Sequence, residues 1–206
     1  MNLSVALREH RLVAIVRGPD PDAAVQTVLT LFDAGVQLVE ISLTTTDADS
    51  VVSRVRKQLG SEVLLGCGTV VTAHDADRAA DAGAAFIVTP ALGPGIAASR
   101  TRGLPVIGGA FTPSEMVEAL ARGAEAVKLF PASVLGPDYV RALRDPFPDL
   151  SIVPVGGIDA AQVAAYLAAG AAAVGVGSPL IGDAASGKGS MDALRARVRA
   201  YLEAVR

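Results

Sequence analysis

Residues 121–131 read Ala121-Arg-Gly-Ala-Glu-Ala-Val-Lys-Leu-Phe-Pro131: the end of a helix, a glycine, then a short apolar strand that stops at a proline. The glycine sits where a helix C-terminus needs positive φ, and the apolar run after it reads as a buried strand. The unit recurs at Asp33-Ala-Gly-Val36, Asp81-Ala-Gly-Ala84 and Ala169-Ala-Gly-Ala172, with weaker copies at Gly60 and Gly103. From Gly35 through Gly60, Gly83 and Gly103 to Gly123 the steps are 25, 23, 20 and 20 residues, each the length of one strand plus one helix.

Strands are expected at Leu12–Val16, Val36–Ile41, Val63–Gly66, Ala85–Val88, Pro105–Ile107, Ala126–Phe130, Ile152–Val155 and Ala173–Val176. Helical patterns include Asp22–Ala34, Asp47–Leu59, His74–Ala82, Pro113–Arg122, Tyr139–Leu143, Ala160–Ala169 and Met191–Val205. Eight strands alternating with eight helices predict an α/β fold, a (β/α)8 TIM barrel, as a single compact domain over residues 1–206. An open doubly wound sheet is the rival. Near-equal units without a glycine-rich dinucleotide turn favour closure.

Half of the chain is hydrophobic, with 21 glycines and few aromatics, which suits short buried strands under closely packed helices. A net charge of −3, with no basic stripe, argues against nucleic acid as a partner. The lone Cys67 fits a reducing compartment. Arg8, Glu9, His10 and Arg11 interrupt any leader-like apolar core, and no run has the length of a membrane span. The expectation is a soluble cytoplasmic protein.

In such barrels chemistry gathers where strands end and the following loops begin. Those positions hold Arg17-Gly18, Glu40, Gly66–Thr69, Thr89-Pro90, Gly108-Gly109, Lys128 with Pro131, Gly156-Gly157 and Gly177-Ser178. The chain has three lysines against fifteen arginines, so a lysine inside an apolar strand stands out. Burying an ammonium group is costly, and a buried amine that loses its proton becomes the nucleophile a Schiff-base enzyme needs. The plain alternative is a stem packed in the strand with its head in water. Alternation places Glu40 with Leu38 and Ser42 on the face opposite Val39 and Ile41, so it points into the barrel; Lys128 shares a face with Ala126 and Phe130. A structural Glu40–Lys128 ion pair is the simplest alternative, but such pairs stabilise poorly when buried. A lysine nucleophile beside a carboxylate base accounts for both residues.

Gly156, Gly157, Gly177 and Ser178 are expected to bind phosphate, because backbone without side chains lets amide N–H groups approach an anion after strands seven and eight. Tight barrel turns would demand glycines too. Arg17 either grips a substrate carboxylate or neutralises Glu40. Thr69 and Thr89 are rim hydrogen-bonding groups. The stretch Gly182-Asp-Ala-Ala-Ser-Gly-Lys-Gly189 falls short of a nucleotide-binding loop, since Gly189 replaces the required hydroxyl residue and no strand immediately precedes it. His10 and His74 share no ligand spacing with Cys67, so no metal site is expected.

Taken together, Val39-Glu-Ile-Ser-Leu-Thr-Thr45, Gly66-Cys-Gly-Thr-Val70, Ile87-Val-Thr-Pro90, Val127-Lys-Leu-Phe-Pro131 and Pro154-Val-Gly-Gly-Ile158 resemble the 2-keto-3-deoxy-6-phosphogluconate aldolases and their phosphogalactonate relatives, class I aldolases, over the whole chain. The resemblance implies Lys128 as the Schiff-base residue and Glu40 as the general acid–base. It also implies Thr69 and Pro90 in the pyruvyl pocket, the four rim residues on phosphate, no metal or other cofactor, and a homotrimer. Two departures stand out. Gluconate-type enzymes often carry arginine where Thr44 stands and threonine where Val155 stands, which points towards the phosphogalactonate branch. The expected reaction cleaves a 2-keto-3-deoxy-6-phosphoaldonate to pyruvate and glyceraldehyde 3-phosphate. Rival readings are a sugar-phosphate epimerase or thiamine-phosphate synthase relative, which needs no imine, and a non-catalytic phosphometabolite sensor.

Overall fold

The computed structural model describes residues 2–206. Among them, β1 (Leu12–Val16), β2 (Leu38–Ser42), β3 (Leu64–Gly68), β4 (Ile87–Val88), β5 (Val106–Ala110), β6 (Ala126–Leu129), β7 (Ile152–Pro154) and β8 (Val174–Val176) pair in parallel, in the order β7-β6-β5-β4-β3-β2-β1-β8. A bridge between Val155 and Gly175 joins β7 to β8 and closes the ring. That closure decides for the barrel over the open sheet. Helices α2 (Pro21–Asp33), α3 (Ala48–Leu59), α4 (Ala73–Asp81), α5 (Pro94–Thr101), α6 (Pro113–Ala121), α7 (Gly136–Arg144) and α8 (Ala160–Ala168) follow β1 to β7 in turn. After β8 come the short α9 (Ser178–Ile181) and α10 (Met191–Ala204). All six glycines marking the repeat take positive φ.

Several strands differ from the expected bounds. β2 and β3 begin and end later than expected, while β4 and β8 start later and β6 stops one residue before Phe130. β5 runs on through Gly108 and Gly109 to Ala110. Glycine is a poor strand former, so a glycine reads as a strand end; here close packing requires it within the strand. A Cβ on Gly66 would lie 2.6 Å from the Phe86 ring, and one on Gly109 would run into the backbone of Pro90. Helix α5 fills the interval after β4, where the alternation implied a helix whose bounds the sequence did not mark.

Burial divides into two layers, as strand alternation requires. Val39, Ile41, Cys67, Val127 and Leu129 pack against the helices. Leu38, Phe86, Ile107, Ala126 and Val153 fill the barrel interior together with Leu3 and Leu7 of one further helix, α1 (Leu3–His10). Ser4 donates to the carbonyl of Glu125, just before β6, and Arg8 donates to Ser151, just before β7. Helix α1 therefore plugs the barrel at the N-terminal ends of the strands. That leaves the opposite end for chemistry.

Candidate active site

Lys128 lies in β6 in register with Gly109 of β5 and Val153 of β7, and only 7% of it is exposed. The other two lysines, Lys57 and Lys188, are exposed. Its Nζ sits 5.3 Å from the centre of the Phe130 ring, within range of a cation–π contact. Glu40 lies in β2 between Ile15 of β1 and Gly66 of β3, and is 2% exposed. The seat of its carboxylate depends on Gly68, where a Cβ would strike Oε1.

Glu40 and Lys128 do not form an ion pair. Among the described residues every opposite-charge contact within 4.0 Å involves an arginine. Burial raises the Glu40 pKa above the usual carboxylate value, and attraction to Lys128 and then Arg17 offsets part of that rise. The result is a carboxyl group able to hold a proton and release it, beside an amine committed to no structural partner.

Lys128, Arg17, Thr69, Pro90, Gly156, Gly157, Gly177 and Ser178 all line one cavity of about 520 Å³ at the C-terminal ends of the strands. Eight of the nine expected site residues thus share one cavity; Glu40 lies outside its lining. A larger cleft of about 720 Å³, lined by Arg8, Arg11 and Arg144, lies at the plugged end and holds neither Lys128 nor Glu40.

Among the described residues Arg17 makes no carboxylate contact. Its Nε donates at 3.4 Å to Ser42, whose Oγ also lies 2.8 Å from both Thr44 Oγ1 and Thr69 Oγ1. Thr69 holds φ +62°, a conformation uncommon for a β-branched residue. Buried Thr89 accepts from the amide of Gly109 and donates to the carbonyl of Ala91, which fixes Pro90 between them. Thr89 is thus a support behind the cavity. The signal for Ser42 was its place on the inward face with Glu40. Phe130, Val155 and Ile15 also line the cavity, and nothing in their apolar character distinguished them from core.

Gly156 and Gly157 take φ of +107° and +71°; a side chain on the first would press on the Phe130 ring at 3.1 Å. The chain's three tyrosines each donate to a carbonyl in a rim loop: Tyr139 to Phe111, Tyr166 to Ala132 and Tyr201 to Ile158. These bonds pin the loops after β5, β6 and β7. Among the described residues no group of three or more His, Cys, Asp or Glu is placed to hold a metal ion.

A family model described as KDPG and KHG aldolase matches residues 3–196. The chain belongs to the KDPG and KHG aldolase family. A probable 2-dehydro-3-deoxy-6-phosphogalactonate aldolase of Rhizobium meliloti (strain 1021) is 38% identical to this aldolase over 174 residues, 84% of this chain and 82% of the relative. The 2-dehydro-3-deoxy-6-phosphogalactonate aldolase of Escherichia coli (strain K12) is 35% identical over 196 residues, 94% of this chain and 96% of the relative. Among solved structures, one described as native KDPGal superposes with a TM-score of 0.87 at 33% identity, covering 94% of this chain and 93% of that one. The aldolase match begins at Leu3, the first residue of α1, so the plug helix lies within the matched region.

Proposed function

We propose that this aldolase cleaves a 2-keto-3-deoxy-6-phosphoaldonate of the galactonate type to pyruvate and glyceraldehyde 3-phosphate, through an imine on Lys128. The observation that carries the reading is a buried lysine and a buried carboxyl with no ion pair between them, at the end of the barrel where the phosphate-type glycine loops gather.

The amine of Lys128 adds to the C2 ketone, and the carbinolamine loses water to give an iminium ion. Glu40, directly or through a water, takes the proton of the C4 hydroxyl. The C3–C4 bond breaks, its electron pair passes into the C2–C3 enamine, and the iminium nitrogen is neutralised as the aldehyde departs. Glu40 or that water then protonates C3, and hydrolysis frees pyruvate and the amine. A carboxyl whose pKa lies above the ordinary carboxylate value suits both proton transfers. Arg17 grips the carboxylate, with Thr69 and Pro90 lining the pyruvyl end. Backbone amides at Gly156, Gly157, Gly177 and Ser178 hold the phosphate and fix the position of the breaking bond. The imine is the electron sink, and no cofactor enters the scheme.

Val155, apolar and lining the cavity where gluconate-type enzymes commonly carry threonine, supports the galactonate preference. The two relatives named for the phosphogalactonate reaction support it too. A side-by-side assay of both C4 epimers, read by pyruvate release, tests it: the galactonate epimer is cleaved with the higher kcat/KM, and Val155→Thr shifts the ratio towards the gluconate epimer by about tenfold. Preference for the gluconate epimer, unmoved by Val155→Thr, contradicts the assignment.

The same proposal includes a cytoplasmic homotrimer. It is supported by the family resemblance, by the single buried thiol, and by Phe130 and Val134, which lie exposed beside the site and give an assembly something to cover.

A further inference from the structure

We propose that Ser42 is a positioning residue for carboxylate recognition, a latch that ties the loops after β1, β2 and β3 at one oxygen and so aims Arg17 and Thr69 into the cavity. This rests on the reading of the cavity as a keto-acid site.

Ser42 ends β2 and is completely buried, while Arg17 and Thr44 are exposed and Thr69 is half-buried. Its Oγ lies 2.8 Å from Thr44 Oγ1 and 2.8 Å from Thr69 Oγ1, and accepts from Arg17 Nε and the Thr44 amide at 3.4 Å each. A hydroxyl offers one proton and two lone pairs, three places for these four neighbours, so its capacity is full and the two contacts at 3.4 Å are shared ones. Arg17 and Thr69 line the cavity and Ser42 does not. Ser42 therefore acts on a bound molecule only through them.

Two features give the latch its effect. Among the described residues Arg17 has no carboxylate partner and no other side-chain acceptor, so Ser42 is the polar group that orients an otherwise free guanidinium fork. With Nε engaged, the two terminal nitrogens stay available for a planar anion such as a carboxylate. Thr69 holds its left-handed conformation one residue beyond β3, and the bond to Ser42 is its only side-chain hydrogen bond among the described residues. Loss of the Ser42 hydroxyl releases both at once. The consequence is selective: recognition of ketones that carry a carboxylate suffers, and attack by Lys128 on a neutral ketone does not.

The test compares borohydride trapping of pyruvate with trapping of acetone, which forms an imine but has no carboxylate. Wild type, Ser42→Ala, Arg17→Gln and the double variant are titrated with both ketones. In Ser42→Ala the half-saturating pyruvate concentration rises about tenfold, as expected for losing a hydrogen bond to a charged group, and the acetone concentration stays put. Ser42→Ala adds little in the Arg17→Gln background, since Ser42 acts on the carboxylate through the guanidinium that Arg17→Gln removes. Ser42→Cys, similar in volume and a weak hydrogen-bonding group, shows a smaller shift in the same direction and carries the test should Ser42→Ala fold poorly. Equal shifts for pyruvate and acetone, no shift for either, or effects of Ser42→Ala and Arg17→Gln that multiply would each overturn the latch. Absence of a pyruvate adduct on wild-type Lys128 overturns the keto-acid reading itself, and the latch with it.

Discussion

Glu40 shows how far a residue's chemistry departs from what stability alone would select. Its carboxyl is buried at the inner end of a glycine-lined seat, and desolvation outweighs its attraction to Lys128 and Arg17, so its pKa is raised. An acid whose folded-state pKa lies above the unfolded value binds protons more readily in the fold. Stability therefore falls as pH climbs from the unfolded pKa through the folded one. Glu40→Gln removes the titration while keeping the shape. Urea unfolding of both proteins is expected to show the variant gaining on the wild type as pH is raised above the ordinary carboxylate value. Turnover of the same variant falls about 10²- to 10⁴-fold. A wild type that gains on the variant with rising pH would show that the charged carboxylate is welcome in the barrel. Arg17 was open in sequence between two roles because its partner lies 25 residues away on another strand; only the fold shows it held by Ser42 rather than by Glu40.

The strand-plus-helix unit was legible because its glycines do two jobs that leave the same mark. Gly83, Gly123 and Gly170 each take positive φ after a helix, and each lies under an arginine from the end of the helix before: Arg56, Arg100 and Arg144. Those arginines donate to carbonyls beside them, among them Gly83, Leu104 and Leu150. Periodicity revealed the glycines; the arginines were invisible, since their partners are backbone atoms. Strand ends were read less well wherever a glycine stays inside the strand, as Gly66 and Gly109 do. At the opposite, reactive rim, Gly156 and Gly157 are glycines of another kind. A Cβ on Gly157 would meet Ser133 at 3.1 Å with φ at +71°. Gly157→Ala is expected to lose about 1–2 kcal/mol of stability and to raise KM for the phosphorylated substrate. Imine trapping with pyruvate, which carries no phosphate, should be unchanged. Equal damage to both would place Gly157 in the pyruvyl pocket instead of the phosphate loop.

At the scale of the whole molecule, the two ends of the barrel divide the work. One end is filled by α1, whose eight residues are too few for a periodic pattern to stand out; Leu3 and Leu7 became core only once eight strand starts surrounded them. Leu7→Ala should cost about 2–5 kcal/mol of unfolding free energy with kcat retained in the folded fraction, measured by denaturant titration alongside assay. A loss under about 0.5 kcal/mol, the size of a change at an exposed position, would mean that α1 is no plug. The other end gathers side chains and backbone from the ends of seven strands around one amine; of these, Lys128 and Glu40 were readable from alternation, whereas the cavity's apolar lining was not. The central claim is that this amine bonds covalently to a ketone carbon. Reduction of the protein with borohydride in the presence of pyruvate, followed by peptide mass spectrometry, tests it directly. The account predicts one reduced pyruvyl group on the peptide that carries Lys128 and none on those carrying Lys57 or Lys188; an unmodified Lys128 peptide would contradict it.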